Sequence, residues 1–133
     1  MSEANIATAK NLYAAFARGD IAAILQGCIP DIEWEAGGRN EDFPTFGPRK
    51  GLEQVKEFFQ TVASLENFHE FVPREFYSDG DKVFALGRYT ITLKTNGRRI
   101  ASEWIHVITF RGGKVAKFRE FTDTANFAAA YRG

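Results

Sequence analysis

The chain has 133 residues, a length typical of one domain, so we expect a single domain over residues 1–133. Hydrophobic residues make up 44% of the sequence and charged residues 26%, which is typical of a globular protein and argues against disorder. The seventeen basic and seventeen acidic residues balance without a long basic run, so we expect no nucleic-acid partner.

The N-terminal part of the chain is predicted to form two consecutive helices. Residues 3–18 carry apolar side chains at helical spacing. Gly19 suits the left-handed position that follows a helix end, and Asp20 suits the N-cap of a second helix over residues 21–27. A tight turn between the two helices follows from this pattern.

The next part is predicted to contain a strand, a loop and a helix. Residues 31–36 alternate between apolar and acidic side chains, which predicts a half-buried strand. Residues 37–51 are rich in Gly, Pro and charge, and this long loop is a candidate lid. The apolar spacing over residues 52–63 predicts an amphipathic helix.

The C-terminal half is predicted to be an antiparallel meander followed by a helix. Turn signals at residues 79–81, 96–97 and 112–113 are typical of hairpins, and short hairpin links make neighbouring strands antiparallel. The predicted strands cover residues 69–78, 82–94, 99–111 and 114–121, and the last helix covers 124–131.

This order of elements predicts an α+β fold. We expect a curved antiparallel sheet with helices packed on its concave face, enclosing a cone-shaped apolar pocket. The outer face of the sheet must be covered too, and in so small a chain the simplest cover is a second copy. We therefore expect a homodimer through the outer sheet face.

One face of the predicted strand around residue 106 is unusual for a plain core, because a buried Trp or His brings a polar atom that must find a partner. A histidine side chain titrates near neutral pH, which suits general acid–base catalysis. The alternative is a structural histidine satisfied by a neighbour, and both interpretations stay open. The residues that share this face are Ser102, Trp104, His106, Ile108 and Phe110.

The following strand offers a carboxylate as a partner for His106. Phe118 and Glu120 share a face, so if Phe118 faces the core, Glu120 faces the same cavity as His106 and either moves a proton or orients the imidazole. The alternative is a surface carboxylate beside Arg119, and a one-residue register slip would invert the facing. For Asp123, an N-cap of the last helix is favoured over a role in a site.

Several other kinds of site are not predicted. Cys28 is the single cysteine and cannot form an internal disulfide, and two His and one Cys are too few for a zinc site, so we expect no metal. No phosphate loop, dinucleotide fingerprint or nucleophile elbow is present, and we expect no cofactor. Without a signal-peptide pattern or an apolar run of membrane-spanning length, we expect a cytoplasmic protein with no membrane partner.

A family resemblance rests on six short motifs in their order and spacing. They are Tyr13-Ala-Ala-Phe16-Ala-Arg-Gly-Asp20, Asp31-Ile-Glu-Trp34-Glu, Gly87-Arg88, Trp104-Ile-His106, Gly113-Lys114-Val115 and Phe118-Arg-Glu-Phe-Thr-Asp123-Thr124. Over nearly its whole length the chain resembles the SnoaL-like branch of the nuclear-transport-factor-2-like superfamily, which includes SnoaL-like polyketide cyclases, ketosteroid isomerase and limonene epoxide hydrolase. The resemblance implies a cone-shaped α+β barrel, a dimer through the outer sheet face and an active site inside the cone.

The same resemblance implies roles for two residues. His106 falls where ketosteroid isomerases keep an oxyanion-binding Asp and where SnoaL-type cyclases keep a His. Glu120 falls where those cyclases and limonene epoxide hydrolase keep a catalytic Asp. The resemblance thus implies that the pair forms the polar part of the active site.

Three positions depart from these relatives. Ala36 stands where the isomerase has its general base, and Leu12, one residue before Tyr13, aligns with the isomerase's oxyanion-binding Tyr. Trp104 stands where the epoxide hydrolase has an Arg. These departures argue against both of those particular reactions.

Three hypotheses about function follow. The first is a cofactor-free acid–base isomerase, cyclase or hydrolase for a small hydrophobic molecule, with His106 and Glu120 as catalytic residues. The second is a protein that binds such a molecule without chemistry, and the third is a dimeric interaction module. The residues expected to bind the substrate are Tyr13, Phe16, Trp34, Phe59, Arg88 and Trp104.

Overall fold

The computed structural model describes residues 2–133, which form four helices and one six-stranded sheet. The predicted α+β class is therefore confirmed. The helices are α1 (Ser2–Ala17), α2 (Ile21–Gln26), α3 (Leu52–Leu65) and α4 (Thr124–Arg132). The strands are β1 (Cys28–Ala36), β2 (Gly47–Lys50), β3 (Glu66–Asp79), β4 (Lys82–Leu93), β5 (Arg99–Arg111) and β6 (Lys114–Thr122).

The helix starts predicted from capping residues are confirmed. The Asp20 carboxylate accepts a hydrogen bond from the backbone N–H of Ala23 in the first turn of α2. Asp123 caps α4 in the same way, accepting from the backbone N–H of Asn126. This cap is the role that the sequence favoured for Asp123.

The sheet differs from the prediction in two respects. Its strand order is β2-β1-β6-β5-β4-β3, and β1 pairs with β6 in parallel, so the prediction of a wholly antiparallel sheet is wrong at this pair. Hairpins connect β3 to β4, β4 to β5 and β5 to β6, and these neighbours are antiparallel. No hairpin connects β1 to β6, so no short link fixes the direction of β1 relative to β6. The sheet also stays open, with β2 and β3 as its edges, so the curved sheet is not a closed barrel.

β1 begins three residues earlier than predicted and runs through Pro30. Its ladder with β6 is irregular between Cys28 and Glu33, and Pro30 lies in that interval. Proline has no N–H to donate and is tolerated in a strand at such irregular places. The strand therefore includes Pro30, and its first three residues lie outside the range predicted from the sequence.

The segment predicted as a loop over residues 37–51 is packed into the core. It contains β2, which pairs with β1, and Phe43 and Phe46 are 0% and 2% exposed. The guanidinium of Arg49 donates to the carbonyl oxygens of Thr45 and Pro44 at 2.7 and 3.0 Å. The candidate lid is thus anchored by two aromatic side chains and by hydrogen bonds.

The helices cover one face of the sheet. α1 packs against β3 and β4, and α3 packs against β1 and β2. Alternate side chains of β5 are buried beneath them, from Ser102 to Phe110, as the period of two predicted. The opposite face of the same strands includes exposed Ile105 and Phe121. None of the described helices is long and apolar enough to cross a membrane.

Candidate functional site

His106 and Glu120 meet on neighbouring strands. β5 and β6 place the two residues directly opposite each other in an antiparallel ladder, so both side chains leave the sheet on the same face. The imidazole Nε2 lies 2.8 Å from Oε2 of Glu120. His106 is 5% exposed and Glu120 16% exposed at the side chain, so the pair is shielded from solvent. The structure therefore brings together the two residues that the sequence predicted as catalytic.

A third group completes a hydrogen-bonded chain. The hydroxyl of Tyr13, from α1, lies 2.7 Å from Nδ1 of His106. Burial, and then the charge of Glu120, raise the pKa of Tyr13 well above its ordinary value, so the phenol keeps its proton and can donate it to Nδ1 of a neutral imidazole. With Nδ1 accepting, Nε2 carries the imidazole proton and donates to the Glu120 carboxylate.

Two aromatic rings contact the imidazole and hold it in place. The ring centroid of Trp104 lies 4.0 Å from that of His106 with the planes 18° apart, and Phe118 lies 4.7 Å away. The indole of Trp104 lies over Gly87, where a Cβ would collide with it and with the carbonyl oxygen of Val72. The expectation that each buried polar atom finds a partner is wrong for Trp104, because Nε1 has none among the described residues.

A cavity of about 110 Å³ opens beside the pair. Four predicted substrate-binding residues line it: Tyr13, Phe16, Trp34 and Phe59. The rest of its wall is mainly apolar, with contributions from every layer of the fold. Further lining residues include Ala9, Leu12, Ile24, Cys28, Phe46, Phe58, Val62, Phe68, Phe71, Ile108, Val115, Phe118 and Phe127.

Two predicted substrate-binding residues do not lie on the cavity wall. Trp104 is 1% exposed and lies behind His106, so it supports the imidazole instead of facing the cavity. Arg88 points the other way, because the strand alternation that turns Tyr89 inward turns Arg88 outward, where it lies 3.5 Å from Glu70. The structure therefore places neither Trp104 nor Arg88 on the wall of this cavity.

The sequence reasoning missed three polar residues of the cavity: Thr45, Tyr89 and Glu66. Tyr89 is 3% exposed, lines the cavity and donates to Oγ1 of Thr122 at 2.8 Å. The alternation of β4 was sufficient to find it, since Ile91 and Leu93 share its buried face. Glu66 gave no such signal, because it lies at the junction of α3 and β3, outside every predicted element.

Glu66 is a buried carboxyl in the wall of this cavity. It is 8% exposed, and burial, followed by the charge of Glu120, raises its pKa from 4.5 to about 8. At neutral pH the Glu66 side chain is therefore mostly a neutral carboxylic acid, which donates a hydrogen bond that a carboxylate does not.

Other reactive groups offer less. Burial raises the pKa of the Cys28 thiol to about 11, which leaves little thiolate at neutral pH. Within residues 2–133, no group of three or more His, Cys, Asp or Glu side chains is placed to hold a metal ion. The polar side chains on the cavity wall, among them His106 and Glu120, can form hydrogen bonds and move protons.

Comparisons with known proteins agree with this fold. The family model described as a SnoaL-like domain matches residues 9–118. No curated protein sequence matches the chain. Among solved structures, an NTF2-like protein of unknown function from Burkholderia pseudomallei K96243 is 27% identical, with a TM-score of 0.88 over 100% of both chains. An NTF2-like protein from Burkholderia xenovorans LB400 is 29% identical, with a TM-score of 0.88 over 98% of this chain and 97% of that one.

A further similar structure contains a small molecule. TerC, co-crystallised with polyporic acid, is 28% identical to this chain, with a TM-score of 0.84 over 98% of this chain and 99% of that one. The similarity extends over nearly the full length of both proteins, so it covers all the elements that form the cavity.

Proposed function

The chain belongs to the SnoaL-like domain family, and we propose that it is a cofactor-independent acid–base enzyme acting on a small hydrophobic molecule held in the cavity. The single observation that carries this proposal is the hydrogen-bonded chain from Tyr13 through His106 to Glu120, which ends at the cavity wall. The reaction class is isomerisation, cyclisation or hydrolysis, each of which needs a positioned proton acceptor and donor.

In this proposal Glu120 is the group that takes the proton. One of its oxygens accepts from His106, and the carboxyl lies on the cavity wall. His106 holds the carboxylate in place, and the phenol of Tyr13 fixes the imidazole tautomer. Glu120 then accepts a proton from a carbon next to a carbonyl group and returns it to a different atom of the same molecule.

The volume of the cavity limits the molecule that enters without rearrangement. An engineered protein cavity of about 150 Å³ accommodates benzene, and ordinary ligand pockets span roughly 300–1,000 Å³. The 110 Å³ cavity therefore suits about one ring in the described conformation. A larger guest requires the aromatic wall to move, and polyporic acid, crystallised with TerC, is a probe for that case.

A second candidate is a binding protein that performs no chemistry. The observation in its favour is that both nitrogens of His106 already have partners within the chain, Tyr13 and Glu120. In that case the hydrogen-bonded chain only stabilises the polar end of the cavity, and a bound molecule leaves unchanged.

Hydrogen–deuterium exchange into candidate ligands separates the two functions before any product is known. A panel of one-ring aromatic ketones is incubated with the protein in D₂O and followed by mass spectrometry, and polyporic acid is used only as a probe of binding. If Glu120 removes and returns a carbon-bound proton, the wild type incorporates deuterium into at least one ketone, and Glu120→Gln slows this by about 10²–10⁴-fold.

The matched control is Glu57→Gln, because Glu57 is an exposed carboxylate of α3 that lies neither on the cavity wall nor on the outer sheet face. This variant should exchange at the wild-type rate. Binding without exchange in the wild type would support the second candidate, and equal rates for wild type and Glu120→Gln would remove Glu120 from the mechanism.

We also propose that a second copy of the chain covers the outer sheet face. Ile105 and Phe121 are cross-strand partners there, and they are 42% and 45% exposed. Arg119 lies over the Phe121 ring and 3.4 Å from Glu35, so both signs of charge flank the apolar pair. A patch with both charges beside apolar side chains is self-complementary under two-fold symmetry.

A further inference from the structure

We propose that Glu66 is a second polar contact in the cavity, donating a hydrogen bond from its neutral carboxylic acid to a carbonyl oxygen of the bound molecule. This inference deepens the proposed function and rests on it, because it assumes that the cavity holds a ligand. It assigns a ligand class: small aromatic or cyclic molecules that carry a ketone or related acceptor oxygen.

Glu66 lies at a helix–strand junction beside the cavity. The residue ends α3 and begins β3, and its side chain is buried against the cavity that His106 and Glu120 also line. A carboxyl group this deep is costly to bury unless it is neutral or hydrogen-bonded. The hydrogen bonds and ion pairs described for residues 2–133 include none to the Glu66 carboxyl, whose raised pKa is caused by burial and by the charge of Glu120.

The two carboxyls of the cavity, Glu120 and Glu66, have different surroundings. Glu120 faces an imidazole N–H and is suited to remain a carboxylate that accepts protons. Glu66 has no such donor, and the negative charge of Glu120 further favours its neutral form. Two carboxyls whose surroundings favour opposite protonation states form an acid and base pair.

Burying the Glu66 carboxyl costs the folded protein free energy. An apolar residue in place of Glu66 would avoid burying a polar group among the aromatic side chains of the wall. A donor without a protein partner that lies beside a cavity is satisfied when a ligand supplies an acceptor. The acceptor with the matching chemistry is a carbonyl oxygen, whose hydrogen bond to Glu66 strengthens as Glu120 removes the neighbouring proton.

Acetophenone and ethylbenzene test this assignment, because they share one ring and nearly one shape but differ by a carbonyl oxygen. Binding is measured by ligand-observed NMR on the wild type, Glu66→Leu and Glu66→Gln at pH 6. We expect Glu66→Leu to weaken acetophenone binding about 3- to 10-fold, the size of one lost hydrogen bond, and to leave ethylbenzene binding unchanged or tighter. Glu66→Gln keeps an N–H donor and should retain the preference for acetophenone.

A pH series gives a second readout that does not depend on Glu66→Leu folding. Above pH 8 the wild type ionises Glu66, so acetophenone binding should weaken while Glu66→Gln stays level. The other titratable groups of the cavity are the same in the wild type and in Glu66→Gln, so their ionisation affects both proteins alike. They are Tyr13 from α1, Cys28 from β1, Tyr89 from β4, His106 from β5 and Glu120 from β6.

The outcomes separate this inference from the proposed function. If the wild type binds both probes and neither the Glu66 variants nor pH changes their ratio, the role of Glu66 is overturned and the ligand cavity stands. If the wild type binds neither probe nor polyporic acid, the ligand cavity itself is overturned, and the role of Glu66 with it.

Discussion

At the scale of single residues, the site depends on which atoms hold protons. The phenol of Tyr13 donates to one nitrogen of His106, and the other nitrogen donates to Glu120. Because both donors point toward the carboxylate end, the chain stabilises negative charge on Glu120 without requiring a charged imidazole. The imidazole also stacks on the indole of Trp104, with the ring centroids 4.0 Å apart, which holds it in place beside the carboxyl.

Glu66 gives a pH prediction at the same scale. Its pKa is raised from 4.5 to about 8 in the folded protein, so its contribution to stability is full below pH 4.5 and is lost as the pH rises toward 8. Relative to Glu66→Gln, the free energy of unfolding of the wild type should fall by on the order of 3 kcal/mol between pH 5 and pH 8. Urea unfolding at several pH values measures this difference.

The control for this prediction is Glu57→Gln, which changes an exposed carboxylate of α3 to the same amide. Its stability curve should stay parallel to that of the wild type. Parallel curves for Glu66→Gln and the wild type would contradict the raised pKa of Glu66.

At the scale of elements, the approach of β4 to β5 fixes the imidazole. Gly87 faces Trp104 across the ladder, and the absence of a Cβ lets the indole lie flat over the strand. Gly87→Ala should therefore displace Trp104 and cost about 1–3 kcal/mol of stability, as overpacking of a buried site does. The displaced indole should also release His106, which a two-dimensional NMR spectrum of the imidazole would detect.

Gly80→Ala is the control for Gly87→Ala, because Gly80 has a positive φ of 61° and no atom near the position of an added Cβ. Its cost comes from backbone strain in a hairpin, far from the imidazole. Gly80→Ala should therefore lower stability without changing the His106 signals. An unchanged His106 spectrum in Gly87→Ala would show that the indole does not position the imidazole.

The elements also show what the sequence could predict. The alternation of β5 was sufficient to place His106 on the buried face, because that strand is long and regular. For β6 the sequence placed Glu120 beside His106 only if Phe118 faces the core, and the structure meets this condition, with Phe118 9% exposed. β2 was missed because four residues that include Gly47 and Pro48 carry no period. Glu66 was missed because a residue at a helix–strand junction belongs to neither pattern, and only the packed structure reveals its burial.

At the scale of the whole molecule, the open sheet divides the protein into two unlike faces. The helices, together with the segment that connects β1 to α3, cover the inner face of the sheet and enclose the cavity. The pairing of β1 with β6 could not be predicted, since it depends on packing between elements far apart in the sequence. The outer face has no such cover within residues 2–133 and shows Ile105 and Phe121 to solvent.

The proposed homodimer is tested at this scale by placing a charge in the exposed apolar pair. Phe121→Glu would bury a carboxylate against its own symmetry mate, so we expect light scattering to show a dimer for the wild type and a monomer for the variant. Ala7→Glu adds the same charge at an exposed position of α1, on the helical side, and should remain dimeric. A monomeric wild type at micromolar concentration, or a dimeric Phe121→Glu, would contradict an interface centred on Ile105 and Phe121.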